Sequence, residues 1–181
     1  MTAVSNTSPI VYLVKTKRLN LLKDLYELVY LCSPVWEDII YLERRGLLAS
    51  GEISFIKQAR EQEWIILRDP RTKEAVSLQN VLVDRGLGAG EASSIALAKE
   101  VKAMLLANDR EAIEVAGQYG VETRWFTEIL HDALKIRKIM GAEEYIQILD
   151  ACLKHGLYVS RKQRERAIQK AYQIAAYTSF S

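Results

Sequence analysis

The chain has 181 residues, 49% of them hydrophobic, and carries 25 Lys and Arg against 23 Asp and Glu, for a formal net charge of +2. A chain of this length and apolar content can bury one substantial core, and no Pro-, Gly- or Ser-rich linker divides it, so we predict a single domain over residues 1–181. The net charge is too small to indicate nucleic-acid binding by itself, although it does not oppose it.

Cysteine usage and hydropathy narrow the class of protein further. Cys32 and Cys152 belong to no CxxC or Cys/His group, so neither a disulfide framework nor a zinc site is indicated. This usage is typical of a reduced, cytoplasmic compartment. No uninterrupted apolar stretch approaches the ~20 residues that cross a bilayer, so we expect a soluble protein without a membrane partner.

Short apolar runs alternate with longer segments of helical period along the first two thirds of the chain. This alternation is typical of a parallel sheet with helices on both faces. We therefore predict a three-layer α/β/α fold with a central, mainly parallel sheet of about five strands in residues 1–125, followed by a helical C-terminal part in residues 126–181. The predicted strands are residues 3–6, 29–32, 64–68, 103–107 and 121–124.

The helical segments carry recognisable start and stop signals. After the first strand, the polar run KTKR separates two apolar faces and predicts two short helices. Ser33 as N-cap and Pro34 at the first helical position predict a helix that ends at Gly46. A compact helix follows the fourth strand and ends at Gly120. Beyond the last strand, helices are predicted over residues 126–139, 142–155 and 160–177.

Polar side chains collect where the predicted strands end, which is where open parallel sheets place functional groups. Some directly follow strands one and four, and others lie in the first turns of the helices after strand two and before strand four. They are Asn6, Glu37, Asp38, Glu91, Asn108 and Asp109. If they converge, three or four oxygen ligands line one pocket, which suits Mg²⁺ or Mn²⁺. Such a site predicts metal-assisted phosphoryl chemistry, which needs no His or Cys nucleophile.

Each of these residues also has a structural explanation. Asn6 and Asp109 both precede a predicted helix and suit an N-cap. Glu91, Glu37 and Asp38 lie in helix first turns, where the helix dipole favours carboxylates. A nucleotide-binding or phosphotransfer domain is less well supported, because no GxxxxGK[ST] or GxGxxG element follows a strand.

Four motifs, in order, resemble one known family. NTSPIV, VWEDII, GEASSIALAKE and LLANDREA, spanning residues 4 to about 120, are similar to the PIN-domain family, in the branch whose members read roughly DTSPLI, then GEA, then DD. The resemblance implies the α/β/α fold and a metal-dependent ribonuclease acting on single-stranded RNA, like the toxins of toxin-antitoxin pairs. It also implies an antitoxin protein and a second copy of the chain as partners.

The resemblance assigns the acidic site residue by residue. Asn6 stands at the first acid's position, Asp38 or its neighbour Glu37 at the second, Glu91 at the third and Asp109 at the fourth. The departures are Asn6 in place of Asp, Asn108 in place of the first acid of the DD pair, and Ile113 in place of the branch's usual Arg. An amide keeps a ligand oxygen but loses the charge, so the alternative is a degenerate module that binds RNA or a partner protein without turnover.

Several basic and aromatic side chains are further candidates for RNA contact. The segment from Lys154 to Lys170 holds six basic side chains against the single acid Glu165, and it predicts either a solvated helix face or a rim that contacts phosphates. Arg68, Arg71 and Lys73 would extend that rim. The three tryptophans flank apolar runs, so core packing is expected for Trp36, Trp64 and Trp125. His131 and His155 lack metal-ligand spacing and are assigned no role.

Overall fold

A computed structural model of the chain describes residues 1–139 and 141–178. Its sheet has five parallel strands in the order β3-β2-β1-β4-β5, with helices packed on both faces. This confirms the predicted three-layer α/β/α fold with a helical C-terminal part. The strands are β1 (Thr2–Ser5), β2 (Leu28–Leu31), β3 (Ile65–Leu67), β4 (Met104–Ala107) and β5 (Thr123–Trp125).

Ten helices connect and follow the strands in the described part of the chain. They are α1 (Thr7–Lys15), α2 (Asn20–Leu25), α3 (Ser33–Arg44), α4 (Ser50–Glu61), α5 (Lys73–Asp84), α6 (Ala89–Val101), α7 (Arg110–Gln118), α8 (Phe126–Lys135), α9 (Ala142–Lys154) and α10 (Arg161–Thr178). None of these helices is long and apolar enough to span a membrane. The single-domain organisation stays a prediction.

The burial of the central strands explains why they could be predicted from the sequence. Val4 of β1 and Leu105 and Leu106 of β4 are completely buried, since helices cover both faces of the sheet. Strands buried on both faces read as continuous apolar runs. The observed strands therefore fall within one or two residues of the predicted ones. The KTKR break is also confirmed: α1 ends at Lys15, and Lys17 takes a positive φ of 57°.

The predicted N-cap at Ser33 is wrong. Cys32 occupies the N-cap position of α3, and Ser33 is the first helical residue. The reason is the carboxylate of Asp69, in the loop after β3, which accepts hydrogen bonds from the Ser33 backbone N–H at 2.7 Å and from its Oγ at 2.5 Å. A side chain remote in sequence thus satisfies the helix start, which a local motif cannot reveal.

The Glu100 side chain ties α6 to the segment between β3 and α5. The Glu100 side chain of α6, 7% exposed, accepts backbone N–H bonds from Arg71 (2.7 Å) and Thr72 (2.9 Å) and pairs with Arg68 (3.3 Å). Burial alone would raise the pKa of Glu100, but these hydrogen bonds lower it below its usual value. Arg68, predicted to extend an RNA-binding rim, is therefore an internal partner of Glu100.

His131 fastens α8 to α10. Its ring is 3% exposed and stacks on Tyr145, with the centroids 4.8 Å apart. Nε2 lies 2.9 Å from the Ala167 carbonyl oxygen, which can only accept, so Nε2 carries the proton of the neutral ring. Nδ1 is buried and has no hydrogen-bond partner among the described residues. Burial accordingly lowers the pKa of His131.

Candidate active site

Four predicted site residues line one cavity of about 300 Å³ at the carboxyl ends of β1 and β4. They are Asn6, Asp38, Glu91 and Asp109, and they come from four elements far apart in sequence. The cavity lies where the chain, having placed β2 and β3 on one side of β1, returns to place β4 on the other. Such a switch point is the usual ligand site of an open parallel sheet. Glu37, the alternative to Asp38, is exposed and does not line this cavity.

Asn6 lies between β1 and α1 at the N-cap position of the helix. Its backbone N–H donates to the Leu106 carbonyl at 2.9 Å, which extends the β1–β4 ladder by one residue. The residue is 7% exposed, and its side chain makes no capping bond to α1. Its Oδ1 is buried with no hydrogen-bond partner within the described chain. An unsatisfied buried acceptor costs roughly 1–3 kcal/mol, so the arrangement favours an external ligand at this oxygen.

Asp109 does cap a helix. Its Oδ1 accepts the backbone N–H of Ala112 at 2.9 Å at the start of α7, as the structural explanation from sequence required. A carboxylate has two oxygens and about four acceptor sites, so this cap leaves capacity for a second partner. The residue is exposed at the cavity wall.

Asp38 is held by the residue after Asn6. The Thr7 hydroxyl donates to Asp38 Oδ2 at 3.2 Å and joins the first turn of α1 to α3 across 31 positions of sequence. The start of α6 also approaches α3 closely here. A Cβ built on Gly90 would lie 3.4 Å from Asp38 Oδ2 and 3.4 Å from a methyl group of Val35. Gly90 therefore packs against Asp38 and Val35 where α6 meets α3.

The charges of neighbouring acids affect the pKa of Glu91. Its Oε2 accepts the backbone N–H of Gly88 at 3.3 Å at the start of α6. Burial raises the pKa of Glu91, and the negative charges of Asp109, Glu111 and Asp38 raise it further against the lowering effect of the Gly88 bond. The negative charges of these acids thus reach Glu91, and a cation in the cavity would offset their repulsion.

The donor set fits a hard divalent cation. It offers carboxylate and amide oxygens, the ligands that Mg²⁺ and Mn²⁺ prefer, and one of them, Asn6 Oδ1, is buried without a partner. Within residues 1–139 and 141–178, no three Asp, Glu, His or Cys side chains already lie close enough to hold one ion. Binding would therefore need the Asn6 amide, rotation of the exposed Asp38 and Asp109 side chains, or both.

Other predicted contacts have different outcomes. Arg161 pairs with Glu165 at 2.9 Å and Arg164 with Asp150 at 2.7 Å, so part of the basic C-terminal segment is a solvated, ion-paired helix face. Trp64 packs in the core as expected, being 5% exposed. Thr7 and Gly90 lie in the motifs NTSPIV and GEASSIALAKE, but their contacts with Asp38 were not predicted because these contacts join segments far apart in sequence.

Comparison with known proteins places the chain in a family. A PIN domain family matches residues 2–173. The match covers most of the chain, which therefore belongs to the PIN domain family. PIN domains are generally nucleases, so the family supports a nuclease, in the wider class of hydrolases.

One similar solved structure is a PilT N-terminus domain protein from the hyperthermophilic archaeon Sulfolobus solfataricus P2. It is 20% identical, and the alignment covers 74% of this chain and 94% of that chain with a TM-score of 0.45. A search of curated proteins finds no match.

Proposed function

We propose that the protein is a ribonuclease that hydrolyses phosphodiester bonds of single-stranded RNA with Mg²⁺ or Mn²⁺. The observation that carries the proposal is the convergence of Asn6, Asp38, Glu91 and Asp109 on one cavity at the switch point of the sheet. The raised pKa of Glu91 is consistent with this arrangement, because burial and then the charges of Asp109, Glu111 and Asp38 raise it. Membership of a family of nucleases supports the same chemistry.

The cation would be held by Asp109, Glu91 and Asp38, with the Asn6 amide oxygen as a fourth, uncharged ligand. Bound there, it would act as a Lewis acid toward the phosphodiester and lower the pKa of the attacking water. The four side chains would hold the cation and orient the scissile phosphate. The hydrogen bonds from Thr7, Gly88 and Ala112 would fix one oxygen of each acid, so that the site is partly organised before substrate binds.

Asp109→Asn tests the proposal without disturbing the fold. Asparagine caps helices as well as aspartate does, so the bond to Ala112 and the thermal stability should be retained while the charge is lost. We expect labelled single-stranded RNA to be cut by the parent with Mn²⁺ and not by Asp109→Asn. Asp84→Asn, an exposed substitution at the end of α5, is the matched control and should cut like the parent. Cleavage by Asp109→Asn at the parent rate would contradict the proposal.

A second candidate is a degenerate module that binds RNA or a partner protein without cutting. Two amides, Asn6 and Asn108, stand at family acid positions and line the cavity. The described residues also include no preformed cluster of three potential metal-binding acids. Asn6→Asp separates the two candidates: if the parent is inactive and Asn6→Asp cuts RNA, the degenerate reading holds. A toxin role, an antitoxin partner and a homodimer stay predictions.

A further inference from the structure

A second cavity lies beside the candidate active site. It has a volume of about 230 Å³ and runs between the end of the sheet and the C-terminal helices α8 and α10. We call it the tail groove and define it by the lining residues Asn108, Trp125, Tyr158, Arg166 and Lys170. The sequence predicted a basic rim in this part of the chain without separating Arg166 and Lys170 from their neighbours.

The tail groove adjoins the candidate active site. Asn108 lines both cavities. Trp125, at the end of β5, pairs in register with Ala107, the residue before Asn108. Neighbouring strands lie about 4.8 Å apart, so the groove begins one strand away from the acidic cavity. A polymer whose backbone occupied the acidic cavity would enter the groove with its next units.

The groove has the charge that a phosphate backbone requires. Arg166 and Lys170 lie one helical turn apart on α10, and within the described chain neither has an ion-pair partner, unlike Arg161 and Arg164 on the same helix. The one acid that lines the groove is Glu128, whose Oε2 accepts the Trp125 backbone N–H at 3.0 Å at the start of α8. Two cations against one engaged carboxylate leave the groove positive.

The groove also presents an aromatic face. Tyr158, in the loop between α9 and α10, is 82% exposed although tyrosine usually buries its ring. Trp125, at the end of β5, also lines the groove and is only partly buried. Exposed aromatic rings next to cations are the usual platform for unpaired bases, because every base offers a ring face for stacking.

We infer that the tail groove binds single-stranded RNA on one side of the scissile phosphate, with phosphates at Arg166 and Lys170 and a base stacked on Tyr158. The choice of RNA as ligand rests on the proposed function. The groove itself adds a substrate-positioning surface outside the acidic site. An acidic protein segment would meet the same cations, but it would not need a flat exposed ring beside them.

The first test measures binding with metal removed, so that cleavage plays no part. Fluorescence anisotropy of a short labelled RNA in EDTA would compare the parent with Arg166→Ala/Lys170→Ala. Each phosphate contact on a single strand contributes about 0.7 to the slope of log K against log salt, so the slope should fall by about 1.4. If the two proteins bind equally at 1 M salt, this difference in slope makes the double variant bind roughly 25-fold more weakly than the parent at 0.1 M salt.

The matched control removes the same charge from the same helix. Arg161→Ala/Lys162→Ala takes away two exposed cations that do not line the groove, so it should change binding and salt slope far less. Equal effects of the two double variants would overturn the inference, because they would show attraction to net charge alone.

A second test addresses the aromatic face. Tyr158→Ala should weaken RNA binding at least about fivefold, the lower range for loss of one base stack, whereas Tyr158→Phe keeps the ring and should bind like the parent. Tyr172→Ala, an exposed ring of α10 outside the groove, is the control. Parent-like binding by Tyr158→Ala would remove the stacking contact from the inference.

The two proposals fail separately in these assays. If no RNA is cut with Mn²⁺ but binding in EDTA depends on Arg166, Lys170 and Tyr158, the nuclease proposal fails and the groove inference stands. If the parent cuts RNA while the groove variants bind and cut as it does, the groove inference is overturned and the nuclease proposal stands. Absence of RNA binding by the parent in EDTA would also overturn the groove inference.

Discussion

Replacing Asn6 with Asp should lower the stability of the protein in EDTA and increase the stabilisation that Mn²⁺ provides. In EDTA the variant adds a fourth carboxylate to a cavity already lined by Asp38, Glu91 and Asp109. A cavity of about 300 Å³ has a radius of roughly 4 Å if taken as a sphere, so charges on opposite walls lie about 8 Å apart. Repulsion at that distance is about 2 kcal/mol per pair at an effective dielectric of ~20 and about 0.5 kcal/mol in water.

The new carboxylate forms three such pairs, so the loss of unfolding free energy should lie between roughly 1.5 and 6 kcal/mol. Proton uptake by the new carboxyl limits the loss at the upper end of this range. For a chain of this size each kcal/mol lowers Tm by about 2–4 °C, so we expect Asn6→Asp to melt at least about 3 °C below the parent in EDTA. Mn²⁺ at 100 times its Kd would restore about 2.7 kcal/mol. The added charge should also tighten Mn²⁺ binding, so Mn²⁺ should raise the Tm of the variant more than that of the parent.

Differential scanning calorimetry in EDTA and in Mn²⁺ would measure both effects. Asn80→Asp, the same substitution on the exposed surface of α5, controls for added charge and for non-specific Mn²⁺ binding. Equal Mn²⁺-induced shifts in the parent, Asn6→Asp and Asn80→Asp would refute a metal site at Asn6. An unchanged Tm of Asn6→Asp in EDTA would refute the crowding of carboxylates around that position.

Two further predictions concern the buried polar contacts. Burial lowers the pKa of His131 in the folded protein below 6.5, its ordinary value. Between the folded and unfolded pKa values the unfolded chain binds more protons, so the unfolding free energy should fall as pH drops through about 6.5. Urea denaturation across this pH range should show that component disappear in His131→Phe and persist in His155→Gln. Glu100→Ala should lower the unfolding free energy by about 3 kcal/mol, since it leaves Arg68 and two backbone N–H groups without their partner. Glu165→Ala is the control, because it removes only the exposed ion pair with Arg161 and should leave Tm nearly unchanged. Equal effects of Glu100→Ala and Glu165→Ala in thermal melts would contradict the structural role of Glu100.

The parts of the fold that local sequence controls could be predicted. Strands buried on both faces appear as apolar runs, and the KTKR interruption marks the end of α1 because charged side chains cannot continue its buried face. The start of α3 was predicted one residue late, since the oxygens that satisfy it belong to Asp69, 36 residues beyond Ser33. The bounds of α4 and α5 were not predicted. In α5 only Ala75 and Leu82 are buried, so its apolar face gives a weak signal.

The candidate site divides in the same way. Strand-end placement and the order of motifs were enough to bring Asn6, Asp38, Glu91 and Asp109 together, because the carboxyl ends of parallel strands share one edge. The tail groove was not predictable in detail. Whether Arg166 differs from Arg164 depends on the position of Asp150 on a neighbouring helix, which the sequence of α10 does not contain.

The structural and chemical explanations of the acidic residues turn out to be compatible. Asp109 caps α7, Glu91 binds the start of α6 and Asp38 binds Thr7, yet all three line the same cavity, since a carboxylate can use one oxygen for each purpose. Bonds at helix starts therefore explain the acids at Glu91 and Asp109, whereas Asp38 lies beyond the first turn of α3. None of these bonds explains why the three acids line one cavity. Asn6 differs from them, because its Oδ1 has no hydrogen-bond partner in the described part of the chain. The proposed cation would account for both the neighbouring acids and the unsatisfied amide, and Asn6 is therefore the position at which metal binding is tested most directly.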